Sequence, residues 1–391
     1  MATPKLRFKD FGEDWTAKKL SQVANLTSSK RVHLSDYVSE GIPFFRGKEI
    51  TELKSGIFPK DILYISKKQY EDFKEKFGAP QNNEILMTAV GTLANTYLIN
   101  TDFEFYFKDG NLIWFKDINA DPNFLMILLD ARKNDVLASA IGSTQKALTI
   151  ANLNKLIFNF PSNEEQTKIA SFLSNVDEKI SQLTQKHELL GQYKQGMMQK
   201  LFSQQLRFKA DDGSEFGEWE ETTLGKVVNF QNGKRVPLSE SDRQKRQGKY
   251  RYYGASGVID HIDDYIFDGQ YILIGEDGAN IITRSSPLAF IVEGQFWVNN
   301  HAHIFQSKNG SNVFLAAYLE SLNYEKFNSG TAQPKLNLDN LKKVPVINPC
   351  LDEQTKIANF LSAIDQKIEV VAQQIEQAKT WKKGLLQQMF V

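Results

Sequence analysis

The chain has 391 residues, enough for two or three domains, and a 41% hydrophobic content with 27 Phe supplies packed cores rather than disorder. No run of about 18 apolar residues occurs and the opening MATPKLRFKD lacks the apolar stretch of a signal peptide, so a soluble, cytoplasmic protein is expected. Cys350 is the single cysteine, which excludes a disulfide framework or a thiolate zinc site, and 47 Lys plus Arg against 47 Asp plus Glu means that a nucleic-acid partner would have to meet a local basic surface.

The chain opens with LRFKDFGEDW (6–15) and LSQVANL (20–26); Trp15 is expected in a core, and Lys30 and Arg31 follow. YISKKQY, TYLINTDFEFYF and NLIWF mix β-branched and aromatic residues with turn signals and read as strands, with PNFLMILLDARKN (122–134) as a short helix after them. Phe44, Phe45, Arg46, Gly47 and Lys48 make a small basic and aromatic group. The turn GSTQK offers Ser143, Thr144, Gln145 and Lys146 as donors to a phosphate, and a plain tight turn reads equally well. After Pro161 and Asn163, a heptad seam runs through Leu173, Val176, Ile180, Leu183, His187 and Leu190 and resumes at Met197 and Leu201. It predicts a helix of about 40 residues, roughly 60 Å long.

The chain is then written a second time. LRFKADDGSEFGEW (206–219) answers the opening block, Trp219 answers Trp15, and Lys234 and Arg235 answer Lys30 and Arg31. RYYGASGVIDHI, YILIGEDG and AFIVEGQFWVNNHAHIFQ, which carries Asn300, read as strands, and NVFLAAYLESLNYEKF (312–327) as a helix. The run SDRQKRQGKYR (241–251) carries Lys245, Arg246, Lys249 and Arg251 beside Tyr253, with a local charge of +4. GTAQPK, with Gln333 and Lys335, answers GSTQK, and EQTKIANFLSAIDQKI (353–368) matches EQTKIASFLSNVDEKI (165–180) at 12 of 16 positions. The second seam is Leu361, Ile364, Ile368, Val371, Ile375, Ala378, Leu385 and Met389. Between these shared blocks, residues 33–141 and 237–329 do not align. One scaffold carrying two different readers fits that pattern, because Lys and Arg draw affinity from phosphates while Arg, Asn and Gln discriminate base edges.

Two helices of near-identical seam are expected to pack on each other as an antiparallel coiled coil; the alternative is that each lies on its own domain. The expected fold is therefore α+β, an internal pseudo-twofold repeat of mixed α/β modules at 1–160 and 205–348 with helical regions at 161–204 and 349–391.

A search for chemistry returns little. The GxxxxGK[ST] loop is absent, and Asn348-Pro349-Cys350 is no amino-methyltransferase motif. His301 and His303 lack an obvious third metal ligand and read as packed or DNA-facing residues. Asp263, Asp264, Glu276 and Asp277 read as surface turns rather than a nuclease cluster.

The paired openings, the GSTQKxL turn and EEQTKIASFLSNVDEKI leading into a helix that ends KQGMMQKLF resemble the specificity subunit of type I DNA restriction–modification enzymes, across essentially the whole chain. The resemblance implies two target recognition domains, each reading half of a split DNA site. It also implies helices that set the spacer and dock two modification subunits, and restriction (motor–nuclease) subunits in the full complex. No catalytic residue or metal is then expected on this chain; S-adenosylmethionine, ATP and Mg²⁺ belong to the partner subunits. A coiled-coil scaffold that touches no DNA is the rival reading.

Overall fold

In the computed structural model, residues 4–330 and 333–390 are described. The chain divides into two compact units, Met1–Gln182 with Gln374–Val391, and Leu183–Gln373.

The strands of unit 1, in chain order, are β1 (Thr16–Lys19), β2 (Asn25–Thr27), β3 (Tyr37–Val38), β4 (Ile42–Phe45), β5 (Leu63–Ile65), β6 (Ile85–Thr88), β7 (Thr96–Leu98), β8 (Tyr106–Phe107), β9 (Leu112–Lys116) and β10 (Ile157–Phe160). They form a β1–β10 ribbon and two four-stranded sheets, ordered β2-β9-β6-β7 and β3-β5-β4-β8. The ladders are antiparallel except for β4 with β8. β6 reads Ile-Leu-Met-Thr and is buried at every position, as a strand covered on both faces must be. Asp121 caps the helix Pro122–Ala131, its carboxylate accepting from the Phe124 N–H, and Pro122 loses nothing in the first turn, where its missing N–H would be unpaired.

Unit 2 repeats this plan with β11 (Glu220–Thr223), β12 (Val228–Phe230), β13 (Gln247–Gly254), β14 (Gly257–Ile262), β15 (Phe267–Asp268), β16 (Tyr271–Gly275), β17 (Ala289–Val292), β18 (Gln295–Val298), β19 (Ala302–Ser307) and β20 (Pro345–Asn348). β11–β20 is the ribbon, and β12-β19-β16-β17 and β14-β13-β18-β15 are the sheets, with β13 and β18 parallel. β16, Tyr-Ile-Leu-Ile-Gly, is buried throughout like β6. The two centres that share no sequence thus share a strand plan.

The long helices are Asn163–Phe202 and Leu351–Met389. Unit 1 takes the first part of one and the last part of the other, and unit 2 takes the remainder. In unit 1, Leu173 and Val176 share a core with Leu385, Met389, Phe390, Trp15 and Phe124, and Lys382 pairs with Asp177. In unit 2, Met198 and Leu201 share a core with Ile357, Leu361 and Ile364, and Lys194 pairs with Asp365. Leu183, Val371 and Ile375 are also buried, while Ile180, Leu190 and Ile368 are half-buried.

Two local readings change. YISKKQY is strand only at its start: Ser66 accepts from the Gln69 N–H at 3.2 Å and opens a helix, Lys67–Phe77, whose apolar face is Tyr70, Phe73 and Phe77. At the end of the first seam the buried methionine is Met198 rather than Met197, because the packed stripe drifts by one residue before Leu201. No helix among the described residues is long and apolar enough to cross a membrane.

Candidate nucleic-acid interface

The two junction turns have the same construction. A Cβ on Gly142 would meet the Gln145 carbonyl oxygen at 2.3 Å, and one on Gly330 would meet the Gln333 carbonyl oxygen at 1.8 Å. Gly142 also holds φ +111°, where a side chain is strained, so glycine is required by the turn itself. The bridge between Ile141 and Ala147 closes the first turn and leaves Ser143, Thr144, Gln145 and Lys146 exposed, with no hydrogen bond to their side chains among the described residues. Gln333 is exposed in the second turn; Thr331 and Ala332 lie outside the described residues.

Each turn leans on the loop that follows the buried central strand. Leu148 donates its N–H to the Ala89 carbonyl at 2.9 Å in unit 1, and Leu336 donates to the Glu276 carbonyl at 2.8 Å in unit 2. The turn is therefore fixed to the sheet as well as to the helix that follows.

The basic residues singled out by sequence fall into two groups. In the first, the cation is already engaged. Arg46 bonds buried Glu49 through its guanidinium and, at 2.7 Å, its backbone N–H, capping the helix Gly47–Lys54. Burial would raise the Glu49 carboxyl, but hydrogen bonds from Arg46 outweigh it and hold the group below the usual carboxylate range. Arg235 donates to Glu276 at 2.9 Å and to the Ala302 carbonyl at 2.7 Å. Arg246 pairs with Asp263 at 2.9 Å and lies over the Trp297 ring. Arg31 holds Asp109 at 3.0 Å from an exposed position, and Lys335 approaches Glu276 at 3.7 Å. Tyr253 is buried, which pushes its phenol up.

In the second group the side chain is open. Lys234, Lys245 and Asn300 are exposed, and among the described residues no hydrogen bond or ion pair holds their side chains. Lys249 lies over Tyr250 at 5.0 Å, Lys30 lies over Phe77 at the same distance, and Lys48 has only a 3.7 Å surface pair with Glu52. Arg251 is exposed on β13, donates to the Glu293 carbonyl at 2.7 Å, lies over the Tyr253 ring at 5.7 Å, and stands opposite His261 of β14.

The histidines divide the same way. His303 is buried, with Nε2 at 2.7 Å from the Leu336 carbonyl and Nδ1 at 2.8 Å from the Asn232 amide. Nε2 must donate and Nδ1 accept, which fixes one neutral tautomer, and burial lowers the ring's affinity for a proton. Exposed His301 stands 2.8 Å from Asp277. Among the described residues no group of His, Cys, Asp and Glu could hold a metal ion; Asp263, Asp264 and Glu276 face arginines and Asp277 faces the His301 imidazole.

Sequence reasoning missed a buried polar clamp at the start of each long helix. Arg7 bonds Glu165 with two bonds of 2.7 Å, and Arg207 bonds Glu353 at 3.0 and 2.8 Å. Gln166 donates to the Pro161 carbonyl and accepts from the Asp121 N–H; Gln354 donates to the Pro349 carbonyl and accepts from the Ser311 N–H. The signal was the identity of Arg7 with Arg207 and of Glu165-Gln166 with Glu353-Gln354 in the repeat.

The family model described as the type I restriction modification DNA specificity domain matches residues 12–190 and again 217–380. A type I restriction enzyme specificity subunit of Haemophilus influenzae is 36% identical over 154 residues, 39% of this chain and 38% of its own length. The MjaVIII specificity subunit of Methanocaldococcus jannaschii is 26% identical over 395 residues, covering 89% of this chain and 90% of that protein. The crystal structure of a type I restriction–modification S subunit from M. genitalium has a similar fold, with a TM-score of 0.63 at 21% identity over 100% of this chain and 99% of that one.

Proposed function

The chain belongs to the type I restriction–modification DNA specificity family, and from that premise we propose that each of its modules reads one half of a bipartite, asymmetric DNA site. As a specificity subunit it supplies recognition and no catalysis. The observation that carries this reading is the contrast between a duplicated frame and two unlike centres: the same junction turns, ribbons and helix starts present different exposed side chains. Unlike readers on one frame imply unlike half-sites.

The modules span 1–160 and 205–348 in this reading, and the helical segments 161–204 and 349–391 set the spacer. Readers working from one side of a duplex favour half-sites about one helical turn apart, roughly 34 Å. In this reading Lys146, Lys234, Lys245, Lys249 and Arg251 contribute phosphate contacts, and Gln145, Asn300 and Gln333 contribute polar contacts. Two similar helical frames offer two similar docking surfaces, which suits two copies of one modification subunit, with restriction subunits joining the full complex. S-adenosylmethionine, ATP and Mg²⁺ then act on those partners, and the complex works in the cytoplasm.

The test is to co-express the chain with its cognate modification subunit and map methylated bases genome-wide. A single bipartite, asymmetric motif is expected, and replacing residues 33–141 with those of another reader should change one half only. An assembled complex that leaves no motif would overturn the proposal.

A further inference from the structure

We propose that the Arg–Glu–Gln clamp at the start of each long helix fixes the angle at which a module sits on that helix, making Arg7, Glu165 and Gln166, with Arg207, Glu353 and Gln354, positioning residues for spacer length. This rests on the reading of the chain as a two-part DNA reader.

The clamp is buried and directional. Glu165, Gln166, Glu353 and Gln354 are each 4% exposed or less. A buried ion pair is a poor way to gain stability, because desolvation offsets most of its attraction, and apolar packing of equal volume does as well. What a two-pronged guanidinium–carboxylate pair adds is geometry, since both bonds form only at one relative orientation. Gln166 adds a second constraint. Its amide ties the helix start to Pro161 on one side and, on the other, to the residue that caps Pro122–Ala131. Gln354 does the same with Pro349 and with Ser311, the cap of Asn312–Ser321.

The caps differ, Asp121 in one unit and Ser311 in the other, yet both receive the glutamine through the backbone N–H rather than the side chain. The glutamine oxygen lies 3.0 and 2.9 Å from those nitrogens. The arrangement therefore holds a helix position against a backbone position, independent of which side chain does the capping.

A small tilt here has a large consequence. The part of the first long helix within unit 1, residues 163–182, is about 30 Å long. A tilt of roughly 6° at its start moves its far end by about 3 Å, close to the 3.4 Å step between base pairs. A loosened clamp would admit half-sites one base pair nearer or farther without touching a base-reading residue.

The experiment uses the full chain in complex with its modification subunit, on duplexes bearing both half-sites at the native spacer, one base pair shorter and one longer. Arg7→Lys, which keeps the charge and removes the two-pronged bond, is expected to raise off-length methylation relative to native-length methylation roughly tenfold. A base change within either half-site should cost the variant as much as it costs the unaltered complex. Leu26→Ala, a core truncation in the module's sheet, should lower the melting midpoint and leave the spacer ratio alone. An unchanged ratio in R7K, or an equal loss of half-site discrimination, overturns the proposal. If R7K does not assemble, Gln166→Met decides the matter in the same assay, since it unties the helix start without burying an unpaired charge. Failure of the underlying reading would show earlier, as absence of a bipartite motif in the unaltered complex.

Discussion

Between β4 and β6, unit 1 inserts two helices, Gly47–Lys54 and Lys67–Phe77, around the short strand β5. In the corresponding sheet of unit 2, β13 is an eight-residue strand that turns directly into β14 through Ala255 and Ser256, and this hairpin exposes Lys249, Arg251 and His261. Both sheets keep a parallel pair, β4 with β8 at the sheet edge in unit 1 and β13 with β18 at the centre in unit 2, because the fourth strand is added on opposite sides: β3 beyond β5 in one, β15 beyond β18 in the other. The other four-stranded sheet has the same order in both units. One sheet of each module is thus a fixed support, and the second carries the variation. The frame retains its buried polar network while the displayed elements change from helices to a hairpin, which is what the proposed pair of unlike readers requires.

The largest effect expected from breaking this comparison is on the clamps. Glu353→Ala would leave Arg207 without its counter-charge and Trp219 without the carboxylate its indole N–H donates to at 2.8 Å. Hydrogen exchange across unit 2 should report a loss of about 3–5 kcal/mol. Glu165→Ala should cost unit 1 about 1 kcal/mol less, because among the described residues no indole donates to Glu165 and Trp15 Nε1 is buried without a partner. Equal losses would mean that the indole bond contributes nothing.

Acid should separate the units next. His303 is held neutral when folded and its proton affinity is lowered by burial, with Glu276, Arg235 and Lys335 as its charged neighbours. The unfolded chain takes the proton more readily, so this contribution to unit 2 is complete above an ordinary histidine pKa of about 6.5 and falls away as the pH drops below it. Unit 1 contains His33, which is exposed, and no buried counterpart. Exchange measured between pH 7 and 5.5 should show unit 2 weakening first, and His303→Gln should remove that difference. Parallel weakening in both units would assign it to other groups.

The smallest effects are those on the open cations. Lys146→Ala in one module and Lys245→Ala in the other should each weaken binding uniformly across DNA sequences and reduce the salt slope by about 1, with unchanged melting midpoints. A residue whose replacement leaves the slope untouched makes no phosphate contact. Arg235→Ala, by contrast, should lower the stability of unit 2, since that guanidinium bonds Glu276 and the Ala302 carbonyl.

The frame was readable from sequence because its signals are local or repeated. The seam residues sit three and four apart, and the two copies report each other. The helix Lys67–Phe77 was also encoded, in Ser66 and the spacing of Tyr70, Phe73 and Phe77, but Tyr64 and Ile65 just before it carry a strand signal and drew the reading across the boundary. The candidate interface was less accessible for a physical reason. Whether an arginine is free or engaged depends on a carboxylate that the fold brings to it: Glu276 reaches Arg235 from 41 residues away, and Asp109 reaches Arg31 from 78. Arg46 with Glu49 is the exception, an i to i+3 pair that helix spacing alone could have revealed.

The contribution of Leu385, Met389 and Phe390 to the core around Trp15 and Phe124 sets an order of events during synthesis. A ribosome delivers the bulk of unit 1 first, yet the apolar surface at its base stays open until residues 374–391 emerge. Unit 2 is one uninterrupted stretch, 183–373, and has all of its chain before that. The module made first is therefore the one completed last, reversing the usual N-to-C sequence of domain folding. Over that interval the nascent protein carries an unfinished hydrophobic face for which a chaperone would have to wait.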